Sequence, residues 1–406
     1  MTNSQPAAAR GGAGRTILLC FLATLCEGID LQTAGVAAAG IRQQFHPDSQ
    51  LLSYFFSAST VGLFIGAIIG GRLADRIGRK GVLVASIVIF GVFSLATPLA
   101  WDIASLTWAR LLTGLGLGGA LPNLVSLGSE NAPLNRRSAS VAMIYSGTPL
   151  GGAIASLVSL FTTATQWSWI FIVGGVVPLI VAPIIGIWLQ ESRAFSRLKS
   201  QADARGGGGV FEFLQEGRAG RTLLLWVSFF LALLTLYLLL NWLPTLLASS
   251  GFGKSQVGIA MFGFNFGGFL SALYIGSHLE TRLRHRGVIL AFVGMPLLLL
   301  VLAQGAKLAA LLALVTAVLG VAVLAAQAIL YSYAPLCYPT RMRGTGVGFA
   351  VAMGRIGSIV GPLLGGLLVG SGRSPSAVLT GLLPIVCVGS LCAIILAWRQ
   401  PPLQPD

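Results

Sequence analysis

Charge is what this sequence has least of. Only 9% of its 406 residues are Asp, Glu, Lys or Arg, against about 25% in an average soluble domain. Acidic residues are scarcest, 12 against 26 basic ones. With 55% hydrophobic residues and a mean hydropathy of +0.84, the chain cannot present the hydrated surface of a soluble protein. Cysteine is sparse too. Cys20, Cys26, Cys337, Cys387 and Cys392 lie in or at the ends of apolar runs and show no metal-ligand spacing. They read as small apolar fillers, which excludes a disulfide framework and a cysteine-based metal centre. No nucleophile–base–orienter set is present, so no enzyme, metal or cofactor is expected. A cleavable leader is not expected either. Leu19 and Leu25 precede the first two cysteines, and Glu27 interrupts the first apolar run.

What the chain does have is a series of apolar runs about 20 residues long, the length that crosses a bilayer. Twelve spans are expected, near 16–40, 52–73, 81–100, 104–127, 138–162 and 168–189, then 221–247, 255–277, 287–305, 308–334, 344–369 and 376–397. The fold class is therefore an all-α integral membrane protein. Residues 1–15 and 398–406 are tails, 16–189 and 221–397 are two six-helix bundles, and 190–220 is a hydrated linker carrying four consecutive glycines. Within the linker, Val210–Leu214 reads either as a short helix on the membrane surface or as plain linker.

The net charge of +14 does not imply a nucleic-acid partner, because the basic residues sit in short segments between the spans. With the N-terminus inside, 20 of the 26 Lys and Arg fall on the inner side, four on the outer side and two within spans. That bias places both termini in the cytoplasm. Two like bundles joined in this way imply a substrate site near the midplane between them, with the halves rocking around it.

The scarce charges inside spans carry the functional argument, since an intramembrane charge is costly. Glu27 and Asp30 lie in the first span, one turn apart on one face. At 1.5 Å per residue, Asp30 stands about 9 Å below the outer boundary of a ~30 Å core. Arg110 enters from the outer end of span 4 and reaches the same depth, about 9 Å. Arg110 either faces Asp30 and Glu27 or binds helix carbonyls. Burial favours a carboxyl's neutral form and a nearby Arg favours its charged form. A proton carrier needs that balance to change between states, so Asp30 is the first choice of carrier and Glu27 the second. Arg355 in span 11 stands near the midplane, about 17 Å from the inner boundary. It suits a carboxylate ligand, or a cross-bundle ion pair with Asp30 or Glu27 that substrate displaces.

Further cavity candidates are Gln32, Asn123, Tyr145, Tyr237, Asn241, Trp242, Asn265, Phe269, Gln327 and Tyr331. Phe262, Phe266 and Phe269 form a stripe, and such stripes are more often packing than ligand contact. Gly147-Thr148-Pro149 and Gly361-Pro362 predict helix breaks.

The segment after span 2 reads Gly71-Arg72-Leu73-Ala74-Asp75-Arg76-Ile77-Gly78-Arg79-Lys80. It resembles the signature loop of the major facilitator superfamily. Span 4, from Arg110 through Gly114, Gly116 and Gly118, resembles that family's R-x-x-x-G-x-G-x-G pattern. The resemblance implies the major facilitator fold of two pseudo-symmetric six-helix bundles. It also implies a cytoplasmic gate, to which we assign Gly71, Asp75, Arg76, Gly78, Arg79, Glu130, Arg136 and Arg343. Asp75 would accept hydrogen bonds from a helix N-terminus or pair with an Arg. Gly276–Arg282 is a decayed copy with Glu280 for the Asp, and a weaker latch is expected there. The glycines of span 4 are expected to form one smooth packing face carrying Arg110.

Glu27-Gly28-Ile29-Asp30 is similar to the acidic first-helix motif of the family's aromatic acid:proton symporter branch, with Glu in place of the commoner Asp. Ala120–Leu124, Asn241–Pro244, Ala334–Leu336 and Arg343–Gly348 extend the likeness over most of the chain. It implies proton-coupled import of a small aromatic carboxylate, 3-(3-hydroxyphenyl)propionate first among the hydroxylated aromatic acids. The setting would be a bacterial inner membrane, the coupling ion a proton, and the working unit a monomer in the lipid bilayer. An exporter of drugs or other solutes on the same fold is the alternative. A membrane sensor of aromatic acids is a second, disfavoured by the lack of room for a signalling domain.

Overall fold

The structure is a computed structural model that describes residues 7–131, 137–189, 191, 219–278, 284–305, 308–338 and 343–399. The chain divides into two compact units, Met1–Asp203 and Ala204–Asp406. The first unit holds α1 (Ala7–Phe45), α2 (Ser49–Ile77), α3 (Arg79–Ala96), α4 (Ile103–Asn131), α5 (Arg137–Phe161) and α6 (Ser168–Trp188). The second holds α7 (Ala219–Ser249), α8 (Lys254–His278), α9 (Arg284–Ala303), α10 (Ala309–Tyr333), α11 (Arg343–Gly370) and α12 (Pro375–Trp398). Among the described residues, ten helices are long and apolar enough to cross a membrane, which makes this a multi-pass membrane protein. The Gly287–Ala303 stretch of α9 is a shorter apolar helix.

Each unit repeats one pairing scheme. In the first, α1 packs on α5, α2 on α4, and α3 on α4 and α6. In the second, α7 packs on α11, α8 on α10, and α9 on α10 and α12. Adding six to each helix number maps one scheme onto the other. With lipid outside and no hydrophobic drive between helices, close backbone approach does the packing. A Cβ at Gly28 would collide with the Thr148 carbonyl of α5, and one at Gly151 with the Leu25 carbonyl of α1. The equivalent pair uses Gly357 and Gly361 of α11 against the Phe230 and Leu234 carbonyls of α7.

Three expectations are corrected. The α4 glycines do not form one face: Gly114 and Gly118 meet Ser59 and Leu63 of α2, while Gly116 meets Ser86 and Phe90 of α3. Residues two apart on a helix point to nearly opposite sides, so this run seats α4 between two neighbours. The signature segment is helix, not loop, as far as Ile77; Gly78 alone makes the turn, at φ +102°. Helices α5 and α11 run unbroken through Pro149 and Pro362. The Val210–Leu214 segment and the Leu279–Arg282 part of the decayed copy lie outside the described residues.

Candidate functional site

In the first unit the scarce charges meet. Gly28 lets α1 lie against α5, and Gly114 lets α4 lie against α2. These close approaches leave Asp30 of α1 and Arg110 of α4 pointing at each other. Arg110 Nη1 donates to Asp30 Oδ1 and Nη2 to Oδ2, each at 2.8 Å. This is the two-pronged guanidinium–carboxylate geometry. Nη2 lies 3.4 Å from the Asp30 carbonyl and 3.3 Å from Ser59 Oγ of α2. Asp30 is 0% exposed and Arg110 1%. The Arg110 Nε makes no hydrogen bond among the described residues.

The remaining walls come from α3 and α6. Ser94 Oγ of α3 lies 3.2 Å from Asp30 Oδ1 and 3.3 Å from the Phe171 carbonyl oxygen of α6. The Phe171 ring lies 5.5 Å from the guanidinium carbon, within cation–π range. Trp167 meets Phe171 edge-on at 5.6 Å and donates its indole N–H to Gln44 Oε1 at 2.8 Å. Glu27 is buried one turn away on α1, and Gln32 is buried beyond Asp30. Asn123 donates to the Gly119 carbonyl of its own helix at 2.8 Å. Tyr145 is half-buried on α5.

Each carboxylate oxygen of Asp30 accepts one Arg110 N–H, so the pair is held at two points. Taking two charges out of water costs several kcal/mol per ion, in order of magnitude, and close mutual contact offsets it.

In the second unit, half-buried Arg355 donates from Nη1 to the Tyr237 hydroxyl at 3.3 Å. Asn241 Nδ2 donates to the Tyr237 carbonyl at 2.7 Å, and Asn265 Nδ2 to the Met261 carbonyl at 2.9 Å. Gln327 and Tyr331 are half-buried on α10, with Tyr331 edge-on to Phe229 at 5.2 Å. Trp242 stands apart from the other candidates. It is 0% exposed, its indole N–H binds the Pro362 carbonyl at 2.9 Å, and Gly365 leaves room for its ring. It joins α7 to α11 rather than lining a cavity. Phe262 and Phe266 stack at 5.4 Å, and Phe266 reaches Phe269 at 5.9 Å. Phe266 is 37% exposed, so the stripe is not buried along its whole length.

Of the residues assigned to a gate from the sequence, Gly71 and Arg76 belong to α2, Gly78 forms the turn and Arg79 opens α3. The side chains of Asp75, Glu130 and Arg343 and all of Arg136 lie outside the described residues. One carboxylate there went unread in the sequence. Glu191, just past α6, accepts from the backbone N–H of Arg79 at 3.0 Å and of Lys80 at 3.2 Å. It caps the N-terminus of α3, a role its place in an apparent linker concealed. Ser94, Ser59 and Phe171 also went unread, for a serine or phenylalanine in a span carries no signal of its own.

The family model described as the Major Facilitator Superfamily matches residues 20–253 and 225–406. The 3-(3-hydroxy-phenyl)propionate transporter of Escherichia coli (strain K12) is 41% identical over 100% of this chain and 99% of its own length. The 4-hydroxybenzoate transporter PcaK of Pseudomonas putida is 34% identical over 94% of this chain and 92% of its own. The gallate transporter of the same species is 31% identical over 88% and 85%. Among solved structures, a bacterial homolog of the human lysosomal transporter Spinster superposes with a TM-score of 0.63 at 18% identity. That alignment covers 95% of this chain and 94% of the other, a likeness of fold. The glycine-built helix pairs, the repeated units and a family match spanning nearly the whole chain agree, and the chain belongs to the Major Facilitator Superfamily.

Proposed function

We propose that this protein is a proton-coupled importer of a small aromatic carboxylate, working by alternating access. The observation that carries the proposal is the buried Asp30–Arg110 ion pair, the chemistry a proton relay needs, in a chain whose relatives bear aromatic-acid names. Asp30 is the proton carrier, with Arg110 holding its deprotonated form and Glu27 the neighbouring carboxylate. Arg355 takes the substrate carboxylate, beside the Tyr237 hydroxyl. Gln32, Asn123, Tyr145, Asn241, Asn265, Phe269, Gln327 and Tyr331 supply polar and aromatic walls suited to a ring and its hydroxyls.

Hydroxylated aromatic acids are the substrate class, and 3-(3-hydroxyphenyl)propionate is the first to try. One co-transported proton cancels the charge of a monovalent carboxylate, so at that ratio the pH gradient drives uptake, and each further proton adds about 2.3 kcal/mol per 100 mV of membrane potential. The proposed setting is a bacterial inner membrane. All twelve helices span it there, α4 and α9 included, with both termini in the cytoplasm by the bias of basic residues. The segment Gly71–Lys80, with Glu130, Arg136 and Arg343, forms the cytoplasmic gate, and the monomer suffices.

A proteoliposome uptake screen tests this reading. Hydroxyphenylpropionates, hydroxybenzoates and benzoate are offered with and without an inward proton gradient. Gradient-dependent accumulation of at least one acid is expected. Efflux of preloaded acid driven by that same inward gradient, which is antiport, or no acid transported, refutes import.

A further inference from the structure

Serines inside helices usually satisfy their hydroxyl on their own backbone, three or four residues back. Many hydroxyls here do so: Thr33 bonds the Ile29 carbonyl, Thr113 that of Ala109 and Ser156 that of Gly152. Ser94 does not follow them. Both of its hydrogen-bond contacts cross to other helices, to Asp30 Oδ1 of α1 at 3.2 Å and to the Phe171 carbonyl of α6 at 3.3 Å. The residue is 0% exposed, so water offers no third choice. A hydroxyl has one proton to give, and two acceptors stand at nearly equal distance.

We propose that Ser94 is the positioning residue for protonation of Asp30, a hydroxyl that switches its proton between the Asp30 carboxylate and the Phe171 carbonyl. When Asp30 is ionised, Ser94 donates to Oδ1 beside the Arg110 N–H. When Asp30 takes a proton, that acceptor is spent. The Ser94 hydroxyl then turns to Phe171 and offers its oxygen to the new carboxylic O–H. No bond but hydrogen bonds changes, and the proton itself comes from and returns to solvent through the transport cycle. Among the described residues, the titratable and charged groups around Asp30 are Glu27 on α1 and Arg110 on α4. Of the helices packed nearby, α3 contributes Ser94, α6 the Phe171 carbonyl and α2 Ser59, while α5 carries the half-buried, titratable Tyr145. The switch also ties the state of Asp30 to α6, since Phe171 carries the ring that covers Arg110.

The inference rests on Asp30 being the proton carrier, and the test separates the two. Wild type, Ser94→Ala, Ser94→Cys, Ser94→Thr and Asp30→Asn are reconstituted in proteoliposomes with 3-(3-hydroxyphenyl)propionate. Each is assayed for substrate exchange without a gradient and for gradient-driven accumulation as a function of pH. Losing the charge-assisted bond to the carboxylate costs the ionised form more than losing the weaker neutral bonds costs the protonated form, so removing the hydroxyl favours the protonated form. The pH midpoint of accumulation in Ser94→Ala is expected to move up by about 0.5–1 unit, the worth of one hydrogen bond. Exchange stays within about twofold of wild type. Ser94→Thr restores the wild-type midpoint, and Ser94→Cys, a weak donor, falls between. If Ser94→Ala folds poorly, the Cys and Thr pair carries the comparison. An unchanged midpoint in Ser94→Ala or in Ser94→Cys overturns the switch. Normal accumulation by Asp30→Asn overturns the carrier reading instead.

Discussion

A guanidinium 1% exposed and a carboxylate 0% exposed have no water to fall back on when a partner is lost. Arg110→Ala therefore leaves Asp30 buried without its partner. A loss of about 3–5 kcal/mol of stability is expected, read as a lowered midpoint in detergent-solubilised thermal unfolding. Arg110→Lys keeps the charge but not the two-pronged geometry, and should fall between. Unchanged unfolding of Arg110→Ala would show that the pair does not hold the helices. Arg355 predicts a different pattern, being half-buried and bonded to a neutral tyrosine. Arg355→Ala should raise the Kd for aromatic acids roughly 10- to 100-fold, the worth of a charge-assisted hydrogen bond, with little loss of folded yield. Calorimetric titration of the purified protein checks it. The Asp30–Arg110 contact was legible in the sequence because two rare charges in two helices resolve to one depth. Ser94 was not, because depth cannot tell which of many serines faces a carboxylate.

Between elements, glycine positions set how near the helices come. A methyl group at Gly28 meets the Thr148 carbonyl, a backbone atom that cannot step aside without moving α5. Gly28→Ala should thus cost about 1–3 kcal/mol and lower the unfolding midpoint, although alanine favours the helix itself. An unchanged midpoint would mean that α1 and α5 part freely. Glu191 works at another joint. Its carboxylate sits on the first N–H groups of α3, among Arg79 and Lys80. Glu191→Gln should speed amide hydrogen exchange in the first turn of α3 and leave the rest of that helix unchanged. The all-helical, membrane-crossing character of the chain and the approximate limits of its described helices were readable from apolar run lengths. The helical course of Gly71–Ile77 was not, because its charges gave it the appearance of a loop while only Gly78 turns the chain. The two-sided use of the α4 glycines was missed by treating residues two apart as neighbours on one face.

The molecule as a whole repeats itself. The same helix pairings recur in Met1–Asp203 and Ala204–Asp406, yet the charges do not. The first unit buries Asp30 with Arg110, whereas the second sets Arg355 against Tyr237. This asymmetry suits a division of labour in which one unit manages the proton and the other the anion. Its most direct test is accumulation of 3-(3-hydroxyphenyl)propionate by proteoliposomes under an imposed inward proton gradient, compared between wild type and Asp30→Asn. The account predicts concentrative uptake by wild type that a protonophore abolishes, and none by Asp30→Asn, whose correctly inserted protein still exchanges substrate. Concentrative uptake by Asp30→Asn equal to wild type would contradict it.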